Sequence, residues 1–239
     1  MKIALISGTS GLVGMQLLHQ LLRSTEYDLV LSVGRRKLAL KDRKLIQIEG
    51  DLAKIASWDW EQKVSEQSLS GEYHRFLSAI LEKTAEIHSF SSLGTTIKTA
   101  GSKENFYTVD HDLVIAFANW ARKLGASKFL YVSSMSADPS SAIFYNKVKG
   151  ETEEDLKLLQ FGYLGIFQPS LLLGNRNEFR LGEQVATILT KPLVWLKLAK
   201  SIRPIYDYQV AKAMVRTANQ PKSIPVEVIT SGQMQDFSQ

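Results

Sequence analysis

Short apolar runs alternate along this chain with longer stretches in which apolar residues return every three or four positions. The short runs are KIALI (2–6), DLVLSV (28–33), KLIQI (44–48), EIHSFSS (86–92), KFLYVSS (128–134), YLGIFQ (163–168) and EVIT (227–230). They predict seven strands. Helical periodicity covers 12–23, about 105–124 and 145–160. In the second of these, Val109, Leu113, Phe117, Trp120, Ala121 and Leu124 fall on one stripe. Strands separated by helices predict an α/β protein, a Rossmann-type doubly wound parallel sheet with helices on both faces. No repeat or linker divides residues 1–239, which predicts a single domain. From Gly174 to Ile205 the alternation loosens, which predicts a small C-terminal substrate lobe over the site. The stretch 53–85 receives no role beyond Trp58 and Trp60 as anchors to the core.

In doubly wound sheets ligands lie beyond the carboxyl ends of the strands. The first strand runs into SGTSGLVG, with Gly8, Gly11 and Gly14 spaced Gly-x-x-Gly-x-x-Gly. Such glycines permit a tight turn, backbone approach to a pyrophosphate, and close packing of a helix on the sheet. The helix opening at Leu12 would aim free N–H groups and its positive dipole end at the anion. Thr9 and Ser10 add hydroxyl donors.

The end of the second strand chooses between coenzymes. A carboxylate there suits the ribose of NAD. Here the strand ends in Gly34-Arg35-Arg36-Lys37. Guanidinium groups suit a 2′-phosphate, so NADP is expected over NAD, unless both arginines are simply solvated. After the third strand, Asp51 could accept from an adenine amino group and Leu52 could pack on the ring; an ordinary turn is the competing reading. After the fourth, Leu93-Gly94-Thr95 could pass close to the cofactor or form a plain turn.

The fifth strand ends in Ser133-Ser134, and Tyr145 and Lys149 follow in YNKVKGE. Positions i and i+4 share a helix face. A lysine ammonium one turn from a phenol favours the phenolate and so makes a better acid–base group. A serine hydroxyl of this group, with Ser136 close behind, would hold a substrate carbonyl oxygen, Tyr145 would move the proton, and Lys149 could also bond the nicotinamide ribose. A structural tyrosine with a solvated lysine is the alternative.

Composition then removes other chemistry. No cysteine is present among the 239 residues, which excludes disulfides, thiol nucleophiles and thiolate metal sites. Four histidines without metal-ligand spacing give no support for a metal. The balance of 29 basic and 24 acidic residues leaves +5, densest in GRRK (34–37) and KDRK (41–44). Without aromatic–basic interleaving, no specific nucleic-acid partner is expected. No apolar run approaches the roughly 20 residues of a membrane span. The amino end does not read as a signal peptide, and a cytoplasmic location is expected. The apolar stretch 184–199 could serve a homodimer contact or the core.

Four segments, SSLGTT (91–96), YVSSMSAD (131–138), FYNKVKGETEEDL (144–156) and FQPSLLLGNRNEFRLGE (167–183), carry a resemblance. The chain resembles the extended or atypical branch of the short-chain dehydrogenase/reductase superfamily. Within it, these segments resemble more closely the HIV Tat-interacting oxidoreductase family and its small bacterial relatives. The resemblance covers nearly the whole chain. It implies a Rossmann fold with bound NADPH, Tyr145 and Lys149 as catalytic pair, and a serine from 133–136, Ser134 being favoured. It also implies that Gln168, Pro169 and Ser170 line the nicotinamide end, and it matches Arg176, Arg180 and Glu183 to a recurring pattern without a role. The segment after Ser134 lacks the Tyr-Gly turn of sugar-nucleotide epimerases, which argues against such a substrate. Asp207 then reads as a helix cap and Tyr206 and Tyr208 as core or rim aromatics. Two functions remain open: an NADPH-dependent reductase of a small carbonyl-type substrate, and an NADPH-binding sensor without turnover.

Overall fold

The seven main strands carry apolar side chains to both faces of one sheet, and two separate cores result. In the computed structural model, residues 1–59, 62–63, 72–174 and 202–237 are described. Trp60, Arg176, Arg180, Glu183 and the 184–199 stretch lie outside them, as does nearly all of the expected lobe.

The chain runs β1 (Lys2–Ser7), α1 (Leu12–Arg23), β2 (Leu29–Gly34), β3 (Leu45–Glu49), a 3₁₀ turn (Leu52–Ser57), α2 (Glu72–Leu81) and β4 (Glu86–Ser91). Next come α3 (Ile97–Ala100), α4 (Lys103–Tyr107), a π turn (Thr108–Asp112), α5 (Leu113–Lys123), β5 (Lys128–Val132), α6 (Phe144–Leu158) and β6 (Tyr163–Gln168). The short strands β7 (Leu172–Leu173) and β8 (Ile205–Tyr206) pair with each other, before α7 (Asp207–Ala218), β9 (Val226–Thr230) and α8 (Ser231–Asp236). The main sheet has the order β3-β2-β1-β4-β5-β6-β9, and every pairing in it is parallel.

Ile3, Leu5, Leu31, Tyr131 and Ile166 pack against Phe76 of α2, Phe117 of α5 and Leu156 of α6. Their neighbours in the strands, Ala4, Ile6, Val30, Leu130 and Phe167, pack against Leu17 of α1, Met214 of α7 and Met234 of α8. Burial on both faces explains why the five inner strands read as apolar runs, whereas the edge strands β3 and β9 bury fewer positions. It also makes the doubly wound architecture a property of the sequence. The strand order reverses direction between β1 and β4, so a crevice opens there at the carboxyl ends.

The stripe expected on the helix after β4 is displaced in its first half. Phe106, Asp110, Val114, Phe117 and Ala118 are buried, whereas Val109 and Leu113 are only half-buried. The π turn lies where the two readings diverge. Asp207 is the first residue of α7, with Tyr206 in the cap position, so the expected cap falls one residue away.

At the opposite end of the sheet, His88 is fully buried. Its Nδ1 lies 2.9 Å from Tyr27 Oη and its Nε2 2.8 Å from Glu86 Oε1. Burial, helped by Lys128 and opposed by Glu86, pulls the His88 pKa down to about 4. In the unfolded chain it returns to about 6.5. Between these values the unfolded state binds the extra proton, so stability is complete above about pH 6.5 and is lost as pH falls toward about 4, by up to roughly 3 kcal/mol. We predict that His88→Gln flattens the fall in melting temperature between about pH 7 and about pH 4, measured by thermal unfolding of both proteins.

Candidate active site

The turn after β1 is built by backbone contact. Gly8 has φ +83°, a left-handed conformation that favours glycine. A Cβ on it would stand 2.6 Å from the Ser92 carbonyl carbon and 2.7 Å from Leu93 N. A Cβ on Gly14 would overlap the Gly8 carbonyl oxygen and stand 2.6 Å from Ser92 Oγ. The first turn of α1 therefore presses directly on the glycine turn, and both press on the end of β4. Gly11 is the helix N-cap; it donates to Gly8 O at 2.9 Å and offers no side-chain cap. The first turn of α1 contains no acidic residue.

The two hydroxyl candidates part company. Thr9 is buried with its Oγ1 3.1 Å from Ser32 Oγ of β2, whereas Ser10 is exposed. Leu12, half-buried, opens α1 close under Gly174, where a Cβ would meet its Cδ2 at 2.8 Å.

Around the crevice, Arg35 and Arg36 are exposed just past β2. Asp51 is exposed and its Oδ1 accepts from Ala53 N at 3.0 Å, so it caps the 3₁₀ turn. Leu52 is 2% exposed and its side chain packs in the core, so it is not free to lie on an adenine ring. Leu93, Gly94 and Thr95 are half-buried beyond β4.

The serines at the end of β5 are distinguished by their partners. Ser133 Oγ makes a short hydrogen bond to Glu153 Oε1 of α6, and Gln168 Nε2 donates to both oxygens of the same carboxylate at 3.0 and 3.2 Å. Burial pushes the Glu153 pKa up, against these hydrogen bonds. Ser134 Oγ is buried and has no hydrogen-bond partner among the described residues. Ser136 is exposed. Gln168, expected to line the nicotinamide end, thus has its amide turned to Glu153; Pro169 is buried beside it and its carbonyl accepts from Met135 N at 3.1 Å. Ser170 Oγ bonds the Arg203 carbonyl and Ser231 Oγ.

Tyr145 lies half-buried in the first turn of α6, its ring 5.6 Å from that of Phe106. One turn on, Lys149 points into the protein. Its Nζ lies 2.8 Å from Asp110 Oδ1 and donates to Tyr131 Oη at 3.1 Å. Burial opposes the lysine charge, yet Asp110, Tyr131 and Tyr145 together hold its pKa above the ordinary lysine value. Burial pushes Tyr131 up to about 12, with Lys149 acting against it. Asp110, Tyr131 and Glu153 are absent from the sequence reading. No periodicity marks them, because a buried polar residue breaks the apolar pattern that finds buried positions. Tyr206 and Tyr208 are exposed and stacked, with centroids 5.6 Å apart, so they belong to the rim.

A doubly wound parallel sheet with a glycine turn at its switch point defines a Rossmann-type α/β protein. Comparison agrees: residues 4–160 match the NAD dependent epimerase/dehydratase family, and the chain belongs to it. The protein FMP52-2, mitochondrial, of Scheffersomyces stipitis is 32% identical over 221 residues, 91% of this chain and 87% of that protein. Protein HTATIP2 of Rattus norvegicus is 33% identical over 185 residues, 77% of this chain and 69% of that protein. The fold is shared with a UDP-glucose 4-epimerase of Thermotoga maritima (TM-score 0.63, 15% identity, 100% of this chain and 81% of that one). It is shared equally with a short chain dehydrogenase family protein of Francisella tularensis (0.61, 15%, 98% and 99%). One expectation is corrected: several curated relatives are mitochondrial by name, which points away from a plain cytoplasmic location.

The glycine geometry gives a direct prediction. Gly14→Ala should lower stability by roughly 2 kcal/mol or more, because backbone must move to admit the methyl group. Gly34→Ala, whose Cβ would meet nothing closer than 3.7 Å, should leave the melting temperature nearly unchanged.

Proposed function

We propose that the chain is an NADP(H)-dependent oxidoreductase acting on a small carbonyl-type substrate through Ser134, Tyr145 and Lys149. The observation that carries this reading is the Ser134 hydroxyl, buried at the end of β5 without a hydrogen-bond partner among the described residues. A buried hydroxyl left unpaired costs free energy; at the carboxyl end of a strand, where ligands of doubly wound sheets lie, a substrate oxygen would complete it. Its neighbour Ser133 is held by Glu153 and is not free to serve.

The residues present fit a dinucleotide. Gly8, Gly11 and Gly14 form a turn with no side chain between its backbone and the start of α1. Ser10 and the backbone at Thr9 and Leu12 would bond the pyrophosphate. Gly94 and Thr95 would line the opposite wall, with Asp51 and the Leu52 backbone at the adenine end and Pro169 at the nicotinamide end. Arg35 and Arg36 would pair with a 2′-phosphate. When bound, the dinucleotide supplies hydride. Ser134 Oγ donates a hydrogen bond to the substrate oxygen and Tyr145 Oη gives that oxygen a proton as negative charge develops on it. Lys149 presents a fixed positive charge one turn below the phenol. The absence of a Tyr-Gly turn after Ser134 argues for a substrate smaller than a sugar nucleotide.

Following nicotinamide absorbance with a panel of aldehydes, ketones and quinones tests this. Tyr145→Phe should lower turnover on any accepted substrate by roughly a hundredfold or more while sparing NADPH affinity. Tight NADPH binding without turnover on the whole panel would replace the reductase by a cofactor-sensing role. Arg35→Ala should weaken NADPH about tenfold or more and leave NADH nearly untouched, measured by calorimetry. Equal losses would remove the 2′-phosphate assignment.

A further inference from the structure

A lysine ammonium carries three N–H donors. In Lys149, buried to 3% exposure, one is donated to Tyr131 Oη, and Nζ lies 2.8 Å from Asp110 Oδ1 in an ion pair. Asp110 itself is fully buried, and its Oδ1 has the Lys149 ion pair but no hydrogen bond among the described residues. Its Oδ2 accepts from Thr95 N at 2.7 Å and its backbone carbonyl accepts from Thr152 Oγ1 at 3.1 Å. One carboxylate thus ties together the π turn, the loop after β4 and helix α6. The loop backbone sits directly on the pair: a Cβ on Gly94 would be 3.2 Å from Asp110 Oδ1 and 3.5 Å from Lys149 Nζ.

A lysine buried this deeply and left alone gives up its proton, since burial penalises the charged form. The groups facing Lys149 are Asp110 from the π turn, Tyr131 from β5, and Tyr145 and Glu153 from its own helix. Of these, Asp110 is the carboxylate in ion-pair contact among the described residues. Burial pushes the Tyr131 phenol up to about 12, so it carries no charge at neutral pH, and Glu153 is engaged by Ser133 and Gln168. We infer that Asp110 is a positioning residue of the site, whose carboxylate keeps Lys149 charged and fixes its Nζ against the Gly94–Thr95 backbone. Its importance for turnover rests on the reductase reading; its hold on Lys149 does not. It acts through the lysine and is separate from the Ser/Tyr/Lys set.

The test is made on the full chain without ligand. Lysines are labelled with ¹³C at Cε, and the Lys149 resonance, identified by its loss in Lys149→Met, is followed from about pH 6 to about pH 10. In the native chain it should not titrate in this range. In Asp110→Asn it should titrate at least two units below an ordinary lysine, in keeping with buried lysines elsewhere. If the resonance stays unchanged in Asp110→Asn, the inference is overturned. Should Asp110→Asn fail to fold, the double variant Asp110→Asn/Lys149→Met decides: recovered folding supports the pairing, because the uncompensated charge is gone, and equal failure overturns it. NADPH affinity supplies the second readout. It should weaken with rising pH in Asp110→Asn, about tenfold per unit above the lowered lysine pKa, and not in the native chain. A pH-independent loss would mark a merely structural role and overturn the inference. Absence of NADPH binding in both proteins would sink the cofactor reading, while the lysine resonance still decides on Asp110.

Discussion

Backbone touches backbone where β1, α1 and β4 meet, and the position of the whole site follows from that contact. The Gly8 carbonyl lies where a side chain of residue 14 would have to be, and the end of β4 lies where a side chain of residue 8 would have to be. Ser92 reinforces the join through hydrogen bonds from its hydroxyl to the carbonyls of Ser7 and Gly8, at 3.2 and 3.3 Å. Helix α1 thereby starts almost on the sheet, and its amino end opens into the crevice between β1 and β4. A larger residue at either glycine would lift the helix and close the space that the remaining residues are arranged around.

The second organising feature is electrostatic. The buried cation Lys149 is unfavourable unless an anion accompanies it, and breaking such a pair leaves a charge in low dielectric. The structure places Asp110 beside it from a different element, and the same carboxylate accepts a backbone N–H from Thr95. A π turn occurs where the aspartate enters, and such turns often mark functional positions in helices. Ser133, Glu153 and Gln168 form a second buried polar group close to the same strand ends. Ser134 Oγ, next in the chain to Ser133, is buried with no hydrogen-bond partner among the described residues. What distinguishes it from the serine beside it is the partner of each, which no spacing rule encodes.

Much of the fold was legible in the chain. All seven principal strands lie within two residues of the apolar runs that announce them; in the five inner strands burial on both faces leaves an uninterrupted apolar signature. The doubly wound topology follows from their alternation with helices and from the handedness of crossovers. The glycine turn was legible too, because its spacing reflects steric exclusion that any reader of the sequence can infer. Helix α2 was missed: it lies inside 53–85, where charged and polar residues blur the period. The phase of the helix after β4 was misjudged because apolar Val109 and Leu113 attract the pattern more strongly than an acidic residue does.

The sequence by itself determined the sheet, the glycine turn at its switch point and the pairing of Tyr145 with Lys149 on one helix face, since each follows from local sterics or from period. Tertiary structure alone decided that Asp110 meets Lys149, that Glu153 holds Ser133 and that Leu52 belongs to the core. Those relations join residues from different elements, and the burial of a charge becomes tolerable only once the partner's position in space is known.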